Sequence, residues 1–310
     1  MGKNRKSAGG GQARPKETQE QFQKRYDEAR KRLEDWKYAS KNGDLKNNLS
    51  KPQIKRLLDA VLDENIHFKG VTNYLDGREG KFLMFEERFQ NPDGTTFSTE
   101  INISLNDFKK MYKKNPNISI EKLMETYHDI PEYRRKLADM VNIGNTGRNF
   151  LGGWYKPSPD GCSVNINSKL FGDNGTNSRD IEHVMFHEFA HSTDNVSMGY
   201  SNYATEYSAP FKNMMKNSKG SAYSEQFSKG SNSYYQESLA EAVAVTSMAR
   251  KYGGKNAMIE DPNKSRGNYI NYDKWSKENK GLADFANKFV DCKSTDEIRN
   301  LFEVTEEMGL

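Results

Sequence analysis

Three of the five histidines in this chain, His183, His187 and His191, fall within nine residues. The segment spanning the last two reads His187-Glu188-Phe189-Ala190-His191. On an α-helix, residues four apart are offset by about 40° and rise about 6 Å, so both imidazoles project from one face and can converge on one ion. Glu188 sits one step round from that face, where its carboxylate can reach a water on the ion without taking a coordination position. The neighbours Ile181, Val184, Met185, Phe186, Phe189 and Ala190 are apolar. They predict a buried helix over about 180–193, with Asn177 or Ser178 as N-cap. The competing reading is a pair of core histidines with ordinary hydrogen-bond partners. Two unpartnered imidazoles on one buried face are costly, a bound Zn2+ removes that cost, and the spacing favours the metal.

A catalytic zinc keeps three protein ligands and one open position for water. One source of a third ligand is a Gly three residues after the second histidine followed by His or Asp at six. Those positions hold Asp194 and Ser197, so that pattern fails. The other source is a carboxylate on a later helix. A helix expected over about 234–250, ending at Gly253-Gly254, carries Glu237 and Glu241 four residues apart among Leu239, Ala240, Ala242, Val243 and Val245. Two carboxylates on a buried helix need partners. One can bind the metal, and the other can accept the remaining ring N–H of a ligand histidine. Asp194, one turn after His191, is placed to orient a histidine or to cap the helix end. His183 is not followed by a glutamate and reads as a supporting or core residue.

The elements that must hold these residues are legible in outline. Segments 151–155 and 162–167 are short strand candidates joined by Pro157-Ser158-Pro159-Asp160-Gly161. Upstream, Lys51-Pro52 opens a helix with an apolar stripe at Ile54, Leu57, Leu58, Val61 and Leu62. Segments 82–89 and 97–103 flank Asn91-Pro92-Asp93-Gly94 as a hairpin. Helices are expected around 105–114, 119–128 and 131–141. The C-terminal stretch reads as further helices, with Leu282, Phe285, Phe289 and Val290 on one face. His67 and His128 stand alone and read as structural.

Charge is unevenly distributed. Residues 1–51 hold fourteen Lys/Arg against seven Asp/Glu, a local balance of +7 that leaves −3 for residues 52–310 of the +4 total. The histidine-bearing region is therefore not a basic nucleic-acid surface. Residues 1–16 are Gly-rich and basic, which predicts a disordered tail. Residues 17–41 predict a charged helix carrying Phe22, Tyr26, Leu33 and Trp36. Two distant cysteines, Cys162 and Cys292, predict free thiols. There is no apolar signal-like run and no stretch of eighteen apolar residues, so the expectation is a cytoplasmic protein with no membrane partner.

The motif His187-Glu-Phe-Ala-His191 followed by Ser-Thr-Asp194, together with Glu237-Ser-Leu-Ala-Glu241-Ala, resembles the gluzincin metallopeptidases, and within them the anthrax lethal factor-like group, whose second segment has the form E-x-x-A-E-A. The resemblance covers about residues 150–250. It implies an α+β, zincin-like catalytic domain over 144–310, with a small twisted sheet, an active-site helix and a glutamate helix. A small α+β domain over 51–143 and a basic N-terminal segment over 1–50 precede it. It implies Zn2+ on His187, His191 and Glu237, Glu188 as general base, and Glu241 as the carboxylate behind a ligand histidine. Val164-Asn165-Ile166-Asn167 would be the edge strand lining the cleft, where a protein or peptide substrate pairs by its backbone. The family carries a catalytic tyrosine about two turns before the ligand glutamate. This chain has Gly230 there, which leaves Tyr223, Tyr234 and Tyr235 as substitutes.

The expected function is zinc-dependent hydrolysis of peptide bonds. Similar domains occur in phage and prophage proteins. The alternative is therefore a virion-associated phage structural or assembly protein with a non-catalytic zinc, whose N-terminal segment engages a phage or host protein. A third reading, nucleic-acid binding through residues 1–51, rests only on the basic tail and its few aromatics.

Overall fold

A computed structural model describes residues 18–21, 23, 24, 27, 31, 49–54, 57, 66–75, 78–114, 120–145, 152–159, 161–171 and 178–309. The tail expected over 1–16 lies outside them. So does most of the charged segment 17–41, of which residues 19–21, 23, 24, 27 and 31 are helical. Of the helix opened by Lys51-Pro52, residues 51–54 and 57 are described and helical. No helix among the described residues is long and apolar enough to cross a membrane. Cys162 and Cys292 are both free and buried.

The architecture is mixed α+β. Six strands, β1 (Ile66–Leu75), β2 (Arg78–Gln90), β3 (Thr96–Ser104), β4 (Met140–Gly144), β5 (Gly153–Lys156) and β6 (Ser163–Asn167), form one sheet in the order β1-β2-β3-β4-β6-β5. β2 and β3 are the expected hairpin, closing at Gln90↔Thr96. Gly94 takes φ 84° in its turn, where a side chain would be strained. The amide of Thr95 donates to Asp93 Oδ1 at 2.9 Å and helps to shape that turn.

From β3 the chain passes through α1 (Leu105–Lys114), α2 (Ile120–His128) and α3 (Glu132–Arg135) to β4, which lies parallel to β3. Here the structure departs from the sequence reading. The helix expected over 131–141 is the single turn α3, and Met140, Val141 and Ile143 belong to a strand. A short apolar run is compatible with a buried helix or a buried parallel strand, and only its pairing decides. The division expected at 143/144 also falls inside β4, and the sheet runs through it. β1 was not anticipated.

A buried amide ladder pins the parallel centre of the sheet. Asn102, Asn142 and Asn165 stand at paired positions on β3, β4 and β6. Asn102 Nδ2 donates to Asn142 Oδ1 at 3.1 Å, and Asn142 Nδ2 donates to Asn165 Oδ1 at 3.1 Å. A one-residue slip would turn these amides onto the opposite face, where Ile101, Val141 and Val164 pack, and would break both bonds.

The edge strand is β5, a correction to the expectation that 164–167 would occupy that place. β6, which contains those residues, is flanked by β4 and β5. The physical reason is the antiparallel return of Gly153–Lys156 along β6, from Gly153↔Ile166 to Lys156↔Ser163, which covers the outer rim of β6. Gly153 permits a close approach. A Cβ there would lie 2.8 Å from Asn165 O, 2.8 Å from Val184 Cγ1 and 3.1 Å from Glu188 Cγ.

α4 (Ser178–Val196) packs against this end of the sheet, and, after the short helices α5 (Ala204–Tyr207) and α6 (Ala209–Met215), α7 (Asn232–Tyr252) packs on α4. α7 starts where Ser231 Oγ accepts the Tyr234 amide at 3.2 Å, and it stops at Gly253 with φ 83°. Leu239, Ala240, Ala242, Val243, Ala244 and Val245 are all buried, so α7 is enclosed on most sides. Each of its larger apolar side chains contributes about 1.5–3 kcal/mol by leaving water. The C-terminal region adds a small hairpin, β7 (Met258–Glu260) with β8 (Tyr269–Asn271), then α8 (Tyr272–Glu278), α9 (Lys280–Asp291) and α10 (Thr295–Phe302). The sequence reading expected helices only. Strands of three residues are too short to show alternation.

Candidate metal centre

α4 and α7 run antiparallel: His191 faces Glu237, and His183, two turns earlier on α4, faces Glu241, one turn later on α7. His187 lies between them and uses both ring nitrogens. Its Nδ1 is 3.0 Å from Glu241 Oε1, and its Nε2 is 3.1 Å from Glu237 Oε2. His191 Nε2 is 3.5 Å from the same Glu237 oxygen and 3.1 Å from His187 Nε2. Three ligand atoms from His187, His191 and Glu237 thus converge in a triangle with sides of 3.1, 3.1 and 3.5 Å. Three ligands at the usual bond lengths of about 2.0–2.1 Å around a tetrahedral zinc stand about 3.3–3.4 Å apart. The triangle has the right size for such an ion.

The chemistry of the donor set agrees with its geometry. His187 and His191 are each 8% exposed. Glu237 Oε2 is buried and makes no hydrogen bond among the described residues, although both ring nitrogens lie near it. The Nδ1 proton of His187 has Glu241 as acceptor, which leaves Nε2 as the lone-pair side of a neutral ring. A buried carboxylate oxygen and two imidazole nitrogens aimed at one point call for a shared cation. Without a metal, protons fill that role. Burial opposes a charge on His187, but Glu237 and Glu241 outweigh it and hold the imidazole protonated well above its ordinary range. Burial would raise the Glu237 carboxyl, yet attraction to His191 and His187 holds it well below the usual carboxylate range. Glu241 is likewise held low, by His183 and His187 against burial.

Glu188 is buried beside this group and lines the same cleft as His187. Burial raises its carboxyl. His187 and His191 pull it back, as does the Tyr155 amide of β5. The cleft, about 440 Å³, runs between Gly152-Gly153, α4 and the β7–β8 hairpin, and His183, Tyr223 and Glu241 also line it. Arg266, in the hairpin loop, lies with its guanidinium carbon 5.2 Å from the centre of the Tyr223 ring.

The structure separates the three tyrosines left open by Gly230. Tyr223 borders the cleft with its ring centre 6.3 Å from that of His187, and burial, then Glu237, raise its phenol. Tyr234 donates to Glu225 at 3.1 Å, and Tyr235 packs edge-on against Phe211. Sequence reasoning missed Tyr203, whose ring is 6.4 Å from that of His191. It precedes α5 in the turn after α4, where no periodic signal marks it. Asp194 does not orient a histidine by a hydrogen bond. It accepts from the Thr205 amide at 3.1 Å and from Thr205 Oγ1 at 2.7 Å, and so secures the start of α5. Burial pushes the Asp194 carboxyl up to about 6 against these donors.

The arrangement can bind a divalent cation through two imidazoles and a carboxylate, with a second carboxylate fixing one imidazole and a third opening on an adjacent cleft. Compared with protein-family models, curated proteins and solved structures, the chain gives no match.

Proposed function

We propose that this chain is a zinc-dependent metallopeptidase of the gluzincin kind, with a zincin-like catalytic region. The observation that carries the reading is the convergence of His187 Nε2, His191 Nε2 and the hydrogen-bond-free Glu237 Oε2, at separations suited to zinc, next to a buried Glu188 in an open cleft. Two neutral imidazoles and one carboxylate match a catalytic zinc site with one position left for water.

Zinc, when bound, would acidify a water and polarise the scissile carbonyl. The remaining work falls to side chains. Glu188, whose basicity is raised by burial, accepts the water proton and returns it to the leaving amine. Glu241 holds the Nδ1 proton of His187 and so keeps Nε2 free for the ion. Tyr223 is the donor best situated for the oxyanion. β5 lies at the edge of the sheet, where an extended peptide can add by backbone pairing, which makes a protein or peptide the expected substrate.

The test is elemental analysis of untagged, metal-supplied protein, followed by assay against a peptide library. Wild type should carry one tightly held zinc. Glu237→Ala should lose it, and Glu188→Gln should keep it while losing turnover by about 10²–10⁴-fold. A folded wild type that takes up no zinc would refute the reading, as would full activity in Glu188→Gln.

A further inference from the structure

The polar residues between α4 and α7 recur one helical turn apart. His187 and His191 face Glu237, while His183 and His187 face Glu241, and the ligand atoms of each trio lie within 4.8 Å of one another. The trios share His187, which turns Nε2 to one and Nδ1 to the other. An imidazole that holds an ion through Nε2 keeps its proton on Nδ1, so in the second trio His187 acts only as a donor to Glu241. Glu241 keeps carboxylate lone pairs beyond the one that accepts this proton, and with His183 Nε2 they make a candidate donor pair. Their 3.5 Å separation is at the long limit for a hydrogen bond, but it is close to the spacing of about 3.3–3.4 Å expected between two ligands of one tetrahedral cation. The His183 side chain is 22% exposed, and both residues border the cleft, where water can complete the coordination sphere.

We propose that His183 and Glu241 form a second, weaker divalent-cation site one helical turn from the first, and that filling it obstructs the cleft. The inference rests on the zinc reading above, because the first ion is what fixes the His187 proton on Nδ1. The second site has two protein ligands where the first has three, so it fills only when zinc is in excess. An ion there would lie in the same cleft that Glu188 lines, where substrate must enter.

Zinc titration of the metal-stripped full-length protein by calorimetry, with metal content read after equilibrium dialysis, tests the proposal. Wild type is expected to bind one tight and one weaker equivalent. His183→Ala should retain the tight equivalent and lose the weaker one. His183→Asn should behave in the same way and guards against a local packing defect in the alanine variant. Peptidase activity should fall as the second equivalent binds to wild type and should not fall in either variant. Uptake of one equivalent only by wild type would overturn the second site and leave the first intact. Retention of both equivalents by the His183 variants would reduce the second ion to an adventitious ion only. No uptake at all by folded wild type would sink both the second site and the zinc reading beneath it.

Discussion

The contact between α4 and α7 is polar in two regions, and they are built differently. Toward the start of α4, Glu182 is 1% exposed and meets Lys251 and Tyr252 of α7. Lys251 bridges Glu182 and Asp129, and the Tyr252 hydroxyl donates to the other Glu182 oxygen at 2.6 Å. Both Glu182 oxygens are used, one by the Lys251 ammonium and one by the Tyr252 hydroxyl. Burial opposes the charge on Lys251, but its carboxylate partners hold the ammonium protonated above its ordinary range. Further along the same pair of helices, three histidines meet two glutamates, and Glu237 Oε2 is left without a hydrogen bond. One region is a closed ion pair that joins the helices. The other leaves a buried carboxylate oxygen that a cation could take. The number of buried charges does not distinguish them, whereas the unsatisfied oxygen does.

The comparison can be tested from both sides. The largest effect is expected at the open region, where Tyr223→Phe should cut kcat by about 10²–10³-fold with KM and zinc content little changed, as loss of an oxyanion donor does. Tyr203→Phe serves as the control, and an equal loss in both variants would show that Tyr223 has no special part. At the closed region, Lys251→Met should strand two carboxylates and lower the unfolding free energy by about 3 kcal/mol, the low end for a broken buried pair because Lys251 reaches solvent. Denaturant unfolding measures this, and the zinc content should not move. Glu241→Gln separates the regions further. Zinc affinity, read by chelator competition, should weaken about 10–100-fold while stability changes far less than in Lys251→Met.

The smallest effect concerns pH. The Asp194 carboxyl, pushed up to about 6 when folded, titrates near 3.9 in the unfolded chain. Between about pH 4 and pH 6 the unfolded chain releases a proton that the folded protein keeps, so this residue makes stability fall as pH rises through that window, by up to about 2–3 kcal/mol. Glu237 and Glu241, held low in the fold, act in the opposite sense, and their stabilisation is lost as pH falls. The readout is therefore the difference between wild type and Asp194→Asn. The variant should lack the downward slope, and an unchanged pH profile would show that Asp194 is ionised throughout the window.

Much of the candidate centre was readable because helices are local objects. The interval from His187 to His191 places two imidazoles on one face whatever surrounds the helix, and Gly253 ends α7 by its own freedom at positive φ. The turn at Asn91-Pro92-Asp93-Gly94 was legible for the same reason. The strand β4 was not. Met140, Val141 and Ile143 become a strand only by pairing with β3, about forty residues earlier, and nothing in the run itself excludes a helix.

By itself, the sequence determined the histidine helix, the glutamate helix and the residue types each presents, since those follow from backbone periodicity and capping. The tertiary structure alone decided the rest. The antiparallel contact of α4 and α7 sets Glu237 against the Nε2 atoms and Glu241 against Nδ1 of His187, a choice that spacing along either helix leaves open. The return of β5 along β6 decided which strand lies at the edge of the sheet. The folding of separate turns against α4 decided that Tyr223 and Tyr203, rather than Tyr234 or Tyr235, flank the histidines. Each of these depends on contacts between residues distant in the chain, which local periodicity does not encode.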